Sequence, residues 1–356
     1  MGKANFMKTT LIVIIITSFH FCNAQKKTFK CEKVYDAVKL IDQSEFDEAI
    51  AILEECEKVD PSDYTYPYEI AYALIGKKEY KNAISKLEKI KNYQDIKSDY
   101  YQLLGNTYDY DNNPKKAIAI YDEGLKKFPN SGRLYLEKGV IFESDQDYNT
   151  AIELYEQGMK AEPMYSSNYY RAANIFLNSD NKLSGLIYGE IFLNLERTTK
   201  RSQEMSKKLY DTYKASINFK NSKSLEISIC KSIKLYPEKK LKMPFCMLFE
   251  ANLALAAIDQ KEFSLNSFAE IRNKFLILYN DKLKKDYPNV LFDYFKKMED
   301  NKVFDAYNFY IFQMGDKEAF TTWLSSHKEE YERFVGWYTS QENMIKVSAN
   351  TALTPL

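Results

Sequence analysis

Few side chains in this 356-residue sequence could act as catalysts or metal ligands. Of its two histidines, His20 lies in the export signal described below, so His327 stands alone and two-histidine zinc sites are excluded. His327 lies in a polar run, and no Gly-x-Ser-x-Gly turn accompanies it, which indicates a solvated helical residue. No Gly-x-Gly-x-x-Gly or phosphate-binding loop occurs. Acidic residues are plentiful, but they normally form solvated helix surfaces. We predict no catalytic residue, no metal site, no cofactor and no enzyme.

Residues 1–24 have the pattern of a secretory signal peptide. Lys3 and Lys8 precede an apolar stretch of about eleven residues, and short side chains before Gln25 offer a cleavage point. An uncleaved membrane anchor is the weaker alternative, because so short a helix cannot cross a hydrocarbon core of about 30 Å. We expect an exported bacterial protein, mainly in the periplasm, with the cell envelope or the medium as alternatives.

Composition and charge exclude several classes of protein. Only 11 glycines and 9 prolines occur, which disfavours collagen-like chains and turn-dense β-sandwiches. Basic and acidic residues number 50 each, and the signal holds two of the lysines, so the remaining chain has a formal net charge of −2. A nucleic-acid partner is therefore not expected. The charge is uneven, since residues 25–163 carry −7 and residues 164–356 carry +5.

A pattern repeats every 34 residues through the first half of the chain. Three of its columns are Ala49, Ala83, Ala117 and Ala151; Ala71, Gly105, Gly139 and Ala173; and Tyr101, Tyr135 and Tyr169. Pro61, Pro129 and Pro163 close three of the units, and proline stops a helix. Within each unit apolar residues recur at helical spacing. A repeat of this length indicates helical units that must stack to bury their apolar faces.

These columns resemble the tetratricopeptide repeat family, whose unit is a pair of antiparallel helices. The resemblance implies an all-α fold in which helix hairpins stack as a superhelix, or α-solenoid. The units fit 30–63, 64–97, 98–131 and 132–165, with a degraded fifth copy at 166–199. We therefore divide the chain into a signal at 1–24, a repeat array at 25–199, a divergent helical domain at 200–340 and a flexible tail at 341–356.

The 34-residue register is lost in the second half of the chain. We expect a divergent sixth unit at about 205–239, after an insertion near 199–204, with its second helix running from Ser224 to Pro237. Further helices are predicted at 244–259, 263–280, 289–299, 302–314 and 317–334. The stretch 197–242 carries thirteen basic and four acidic residues. A solvated helical face is the favoured interpretation, and weak contact with an anionic surface is the alternative.

The resemblance places Cys31 near the start of the first helix of the first unit and Cys56 near the end of the second. Antiparallel helices bring these two ends together, which allows a disulfide in an oxidising compartment. The alternative is that Cys56 is a packed thiol at one of the small-residue positions of the repeat.

The family lines its concave face with side chains of the first helices and captures peptides or protein segments there. The corresponding residues are Tyr68, Tyr72, Gln102, Asn106, Asp109, Arg133, Leu136, Val140, Tyr170 and Asn174. Some members clamp a terminal carboxylate with lysine, but Gln102 and Tyr170 stand at those positions here. A groove rich in tyrosine, asparagine and glutamine suits neutral polar segments instead.

The resemblance therefore implies a non-enzymatic exported scaffold that binds a protein or peptide partner through its concave face. The alternative is a protein that binds a carbohydrate or envelope polymer on the same framework. That alternative would be favoured by exposed tryptophan platforms, for which only Trp323 and Trp337 are available.

Overall fold

The computed structural model describes residues 28–221, 224–230 and 243–353. Within these ranges the chain forms seventeen α-helices and one two-stranded sheet, so the predicted all-α class is confirmed. None of the helices in the described ranges has both the length and the apolar character needed to cross a membrane. The predicted signal peptide lies outside the described residues.

The first ten helices form five antiparallel pairs. They are α1 (Val34–Asp42) with α2 (Phe46–Val59), α3 (Thr65–Gly76) with α4 (Tyr80–Ile90), α5 (Ser98–Tyr110) with α6 (Pro114–Lys127), α7 (Gly132–Ser144) with α8 (Tyr148–Ala161), and α9 (Ser166–Leu177) with α10 (Lys182–Leu195). The first helices of neighbouring pairs also contact each other, from α1 to α3 and onward to α9. They therefore line one common face, and the predicted solenoid of stacked hairpins is confirmed.

Small residues let the two helices of a pair approach closely. A Cβ atom added to Gly105 on α5 would overlap the ring of Tyr121 on α6, and one added to Gly139 would lie 2.5 Å from the Tyr155 ring. Both tyrosines are buried. At the equivalent positions of the second pair, the smaller Leu87 on α4 is matched by Ala71 on α3. The residue on the first helix thus complements the size of the residue on the second.

The first four pairs share one turn geometry. The second residue after the first helix adopts the left-handed conformation, with φ of 65°, 63°, 60° and 62° at Ser44, Lys78, Asn112 and Gln146. The following N–H group donates to a carbonyl five residues earlier, as from Glu45 to Leu40 and from Asn113 to Tyr108. This is the hydrogen bond of a Schellman cap, which satisfies carbonyls left free at a helix end.

Helix α11 (Lys200–Ser216) occupies the first-helix position of a sixth unit. It begins 34 residues after α9, and Arg201 and Lys208 donate hydrogen bonds to Ser167 and Asn174, each 34 residues earlier. The predicted insertion near 199–204 is therefore wrong. That prediction took its phase from Pro237, which lies outside the described residues.

A β-hairpin follows in place of the predicted second helix. Strands β1 (Ile217–Asn221) and β2 (Ser224–Ile227) are antiparallel, with Ile217 opposite Ile227. The helix predicted to start at Ser224 is wrong because apolar residues here alternate with exposed ones, and a period of two suits a strand. The rest of that predicted helix, at 231–242, lies outside the described residues.

Six further helices complete the C-terminal half. They are α12 (Phe245–Ala256), α13 (Leu265–Leu278), α14 (Val290–Asp300), α15 (Phe304–Ile311), α16 (Lys317–Ser326) and α17 (Lys328–Thr339). Four agree with the predicted positions, but the single helix predicted for 317–334 is interrupted at His327. His327 is exposed, as expected, although it lies between two helices and stacks on Trp323.

Three side chains of the predicted flexible tail are packed. Ile345, Val347 and Ala352 are buried in the core shared by the C-terminal helices, while most residues between 341 and 351 are exposed. These contacts were not predicted because isolated apolar residues in an irregular segment carry no periodic signal. Residues 354–356 lie outside the described residues.

A buried polar network joins the repeat array to the C-terminal helices. The Arg272 guanidinium on α13 donates two hydrogen bonds, of 2.6 and 3.0 Å, to the Glu190 carboxylate on α10. Their side chains are 8% and 2% exposed. Tyr307 on α15 also donates to Glu190, and Asn308 accepts from Arg272. The charges are thus paired, which a buried ion pair requires.

We expect the Gly105→Ala substitution to lower the free energy of unfolding by about 1–3 kcal/mol, because the added methyl group overpacks the buried Tyr121 ring. The matched control is Gly336→Ala in α17, where an added Cβ meets nothing within 4 Å. The control should be neutral or stabilise by up to about 1 kcal/mol through helix propensity. Urea titration followed by circular dichroism measures both, and equal stabilities would contradict the proposed packing.

We expect Arg272→Met to lower the free energy of unfolding by about 3–5 kcal/mol, because it leaves the Glu190 charge buried without its partner. The double variant Arg272→Met with Glu190→Leu should recover part of this loss, since it removes both charges. Equilibrium unfolding in urea compares them. A single variant as stable as the wild type would show that the pair does not hold the two halves together.

Candidate peptide-binding face

Side chains 34 residues apart on the first helices form rows along the common face. One row runs through Tyr72, Asn106, Val140, Asn174 and Lys208. A second row runs through Asp99, Arg133, Ser167 and Arg201. Hydrogen bonds join the members 34 residues apart at the C-terminal end of both rows, such as Lys208 to Asn174 at 2.5 Å, and the first helices contact each other along the array. We call this surface, on α1, α3, α5, α7, α9 and α11, the groove.

The centre of the groove gathers three of the predicted residues around Glu137. The Gln102 amide donates to the Glu137 carboxylate at 2.6 Å and accepts from Arg133 at 3.3 Å. Asn106 accepts from the buried Tyr121 hydroxyl. Burial raises the pKa of Glu137, while its hydrogen bonds with Gln102 and Asn106 oppose the shift. These amides are held in place by neighbours before any partner binds.

Glu137 was not predicted as a groove residue. It could have been found from a third row of residues 34 apart, formed by Glu69, Leu103, Glu137 and Arg171. Leu136, which was assigned to the groove, is instead buried in the core, so that assignment is wrong. Successive residues of a helix are rotated by about 100° about its axis. When Leu136 faces the core, its neighbour Glu137 can therefore face the groove.

Tyrosines dominate the N-terminal half of the groove. The Tyr72 side chain is 50% exposed, although large aromatic side chains are mostly buried. Tyr110, which was not predicted, is 54% exposed and packs against Tyr80 with 5.8 Å between ring centroids. Tyr68 is half-buried beside Tyr64, and burial raises its pKa, which keeps its hydroxyl protonated. These rings offer apolar faces with polar tips.

The C-terminal half of the groove is engaged by α11. The Tyr170 ring packs against Phe192 at 5.0 Å, and the Arg201 guanidinium lies 5.0 Å from its centroid. Asn174 donates to the Tyr170 carbonyl and accepts from Lys208. The structure therefore places Tyr170 and Asn174 against α11, outside the central cluster.

Carboxylates near the N-terminal end of the groove lack cationic partners. Within the part of the chain that the structure describes, Asp42, Glu69, Asp99 and Asp109 form no ion pair. Burial, Asp99 and Asp42 together raise the pKa of Glu69 to about 7. Burial also raises the pKa of Asp109, with a further contribution from Asp145. The groove thus keeps a local excess of negative charge at this end.

Two disulfides lie outside the groove. Cys31 and Cys56 are joined, with Cα atoms 5.3 Å apart, so the alternative of a packed free thiol at Cys56 does not hold in the structure. Cys230 is joined to Cys246, with Cα atoms 6.0 Å apart. The second pairing was not predicted, although the even number of cysteines outside the predicted signal peptide was an indication of it.

Among the described residues, no group of three or more histidine, cysteine, aspartate or glutamate side chains is arranged to hold a metal ion. The cavity beside Arg272 and Glu190 has a volume of about 20 Å³ and is lined mainly by apolar side chains. A cavity of that size holds about one water molecule.

Comparison with known proteins places part of this array in a family. The tetratricopeptide repeat model matches residues 103–163, and no curated protein matches the chain. The crystal structure of MamA is 19% identical, with 45% of this chain and 94% of MamA covered and a TM-score of 0.38. YrrB, described as a TPR protein with an unusual peptide-binding site, is 17% identical. The match covers 47% of this chain and 87% of YrrB, with a TM-score of 0.35. The C-terminal part of a TPR repeat-containing protein from Cytophaga hutchinsonii is 11% identical, with 88% and 100% covered and a TM-score of 0.43.

The matched segment covers most of α5 to α8, where the glycine–tyrosine contacts of the helix pairs lie. The pairs on either side keep the same 34-residue register. Residues 103–163 of this chain therefore belong to the tetratricopeptide repeat family, and the flanking helix pairs continue its repeat.

Proposed function

We propose that this protein is an exported, non-enzymatic scaffold that binds a segment of another protein along the groove. The observation that carries the proposal is the half-exposed Tyr72 ring, in the same row as the amide of Asn106. Rigid aromatic side chains with adjacent hydrogen-bonding groups are typical anchors of protein interfaces. Gln102 and Arg133 extend the polar surface towards α7, so an extended segment would meet anchors on successive hairpins.

Export is part of this proposal. The signal pattern at 1–24 supports it, and so do the two disulfides, because such bonds persist in oxidising compartments and are rare in the cytosol. We place the protein in the bacterial periplasm, with attachment to the envelope or release into the medium as variants of the same proposal.

A protein segment is favoured over a carbohydrate as the partner. Trp323 is buried and stacks between Phe309, at 4.3 Å, and His327, at 4.9 Å. Trp337 packs beside Tyr294, and the Lys297 ammonium lies 5.4 Å from its ring centroid. Since both indoles are engaged by neighbours, neither provides the open platform that stacking on a sugar ring needs.

We expect the double variant Tyr72→Ala with Asn106→Ala to lose a protein that co-purifies with the tagged wild type from envelope extracts. The reason is that the variant removes an anchor ring and an adjacent amide from one row. Quantitative mass spectrometry of the bound fraction measures the loss, which should be at least about tenfold, equivalent to about 1.4 kcal/mol.

The matched control is Tyr148→Ala with Asn149→Ala, which removes an equally exposed tyrosine and an asparagine from α8, a second helix outside the groove. Thermal unfolding of both variants is measured first, because Asn106 is the acceptor for the Tyr121 hydroxyl. If the folded groove variant recovers the same partner in the same amount as the control, the proposed function is wrong.

A further inference from the structure

The groove is polarised along its length. Asp42, Glu69 and Asp99 lie on α1, α3 and α5 at its N-terminal end. Arg171, Arg201 and Lys208 lie on α9 and α11 at the other end. Asp99 and Arg201 belong to the same row, three repeats apart. Because the sign of charge reverses along one row, the direction of a bound chain would be selected by charge.

In the described part of the chain, arginines at one end of the groove have ion-pair partners within the protein, whereas carboxylates at the other end do not. At the C-terminal end, Arg171 lies 3.5 Å from Glu143, and Arg201 is paired with Glu196. At the N-terminal end, Glu69 and Asp99 have no cationic partner among the described residues. An unpaired carboxylate at a partly desolvated position is unfavourable, and either a proton or a cation from outside can compensate it.

Several carboxylates on the second helices of the same hairpins do have lysine partners. Glu57 on α2 lies 2.7 Å from Lys86 of α4, and Glu123 on α6 lies 2.7 Å from Lys91. The array is therefore not short of lysines. Its lysines neutralise these second-helix carboxylates and leave those of the groove free for an incoming group.

Exposed aromatic rings lie close to the unpaired acids. Burial raises the pKa of Tyr110, and the nearby Glu137, Asp109 and Tyr72 contribute to the same shift. Both rings are about half exposed. A tyrosine face attracts ammonium and guanidinium groups, and it also packs against the methylene stems of lysine and arginine. The rings and the acids thus each favour lysine and arginine side chains.

We propose that the N-terminal end of the groove, formed by α1, α3 and α5, binds an extended partner segment that carries lysine or arginine side chains. The proposal rests on the proposed function, because it identifies the chemistry of the segment that the groove takes. The cationic groups reach Glu69 and Asp99, and the stem of the side chain at Glu69 packs on Tyr72, which follows Glu69 by one turn of α3.

This end of the groove also gives the binding a pH dependence. Glu69 faces Asp99 on α5 and Asp42 on α1, and these neighbours and burial raise its pKa to about 7. A raised carboxyl pKa means that Glu69 gains a proton as the pH falls through about 7. Affinity for a cationic segment is therefore present above that pH and decreases below it.

The test uses the mature chain with two fluorescein-labelled synthetic peptides, one a Lys-Ser-Gly repeat and the other a Glu-Ser-Gly repeat. Fluorescence anisotropy gives each Kd. We expect the lysine peptide to bind at least about tenfold more tightly than the glutamate peptide. The double variant Glu69→Gln with Asp99→Asn should weaken lysine-peptide binding about tenfold. Lowering the pH from 8 to 6 should weaken binding to the wild type but not to Glu69→Gln.

The control is Asp36→Asn with Glu55→Gln, which removes the same charge from exposed, lysine-paired positions on α1 and α2. An equal loss in the control would show a general electrostatic effect and overturn the proposal, as would equal affinity for the two peptides. If the Tyr72 and Asn106 variant still loses its co-purified partner while the lysine peptide shows no preference, the groove function stands and the charge assignment is wrong.

Discussion

The close approach of the two helices in each pair determines the rest of the array. At Gly105 and Gly139 the absence of a Cβ atom lets a tyrosine ring lie directly against the backbone of the first helix. This contact fixes the distance and rotation of the two helices, and the same turn geometry then repeats every 34 residues. Since each hairpin meets the next in the same way, equivalent side chains fall into straight rows, and the groove follows from that packing.

The array ends by merging with the C-terminal helices. Residues 183–194 of α10 are all buried, because α9 covers one side of the helix while C-terminal helices cover another. Glu190 therefore lies in the interior, where only the bidentate contact with Arg272 and the Tyr307 hydroxyl compensate its desolvation. Solenoids generally need a capping element at each end. Here the C-terminal helices cap the array, and α11 extends the groove by one helix before the hairpin repeat ends.

The candidate site could be predicted only in part. Tyr72, Gln102, Asn106 and Arg133 follow from their positions in the repeat, because a strict period places them on one face. Glu137 and Tyr110 were missed, since whether a neighbouring position reaches the groove depends on how far each helix is rotated. The unpaired negative charge of the groove could not be predicted from the sequence either. The net charge of residues 25–163 is negative, but which carboxylates pair with lysines depends on contacts between hairpins.

The sequence by itself determined the helix pairs, their 34-residue register and the face that lines the groove, because these depend on periodic spacing within a short stretch of chain. The tertiary structure decided the β-hairpin after α11, the burial of Ile345, Val347 and Ala352 and the Cys230–Cys246 disulfide. It also decided that Glu190 is buried and that Glu69 has no ion-pair partner among the described residues. Each of these depends on residues distant in the chain, and the energy of burying a group is set by the neighbours that surround it, which no local pattern records.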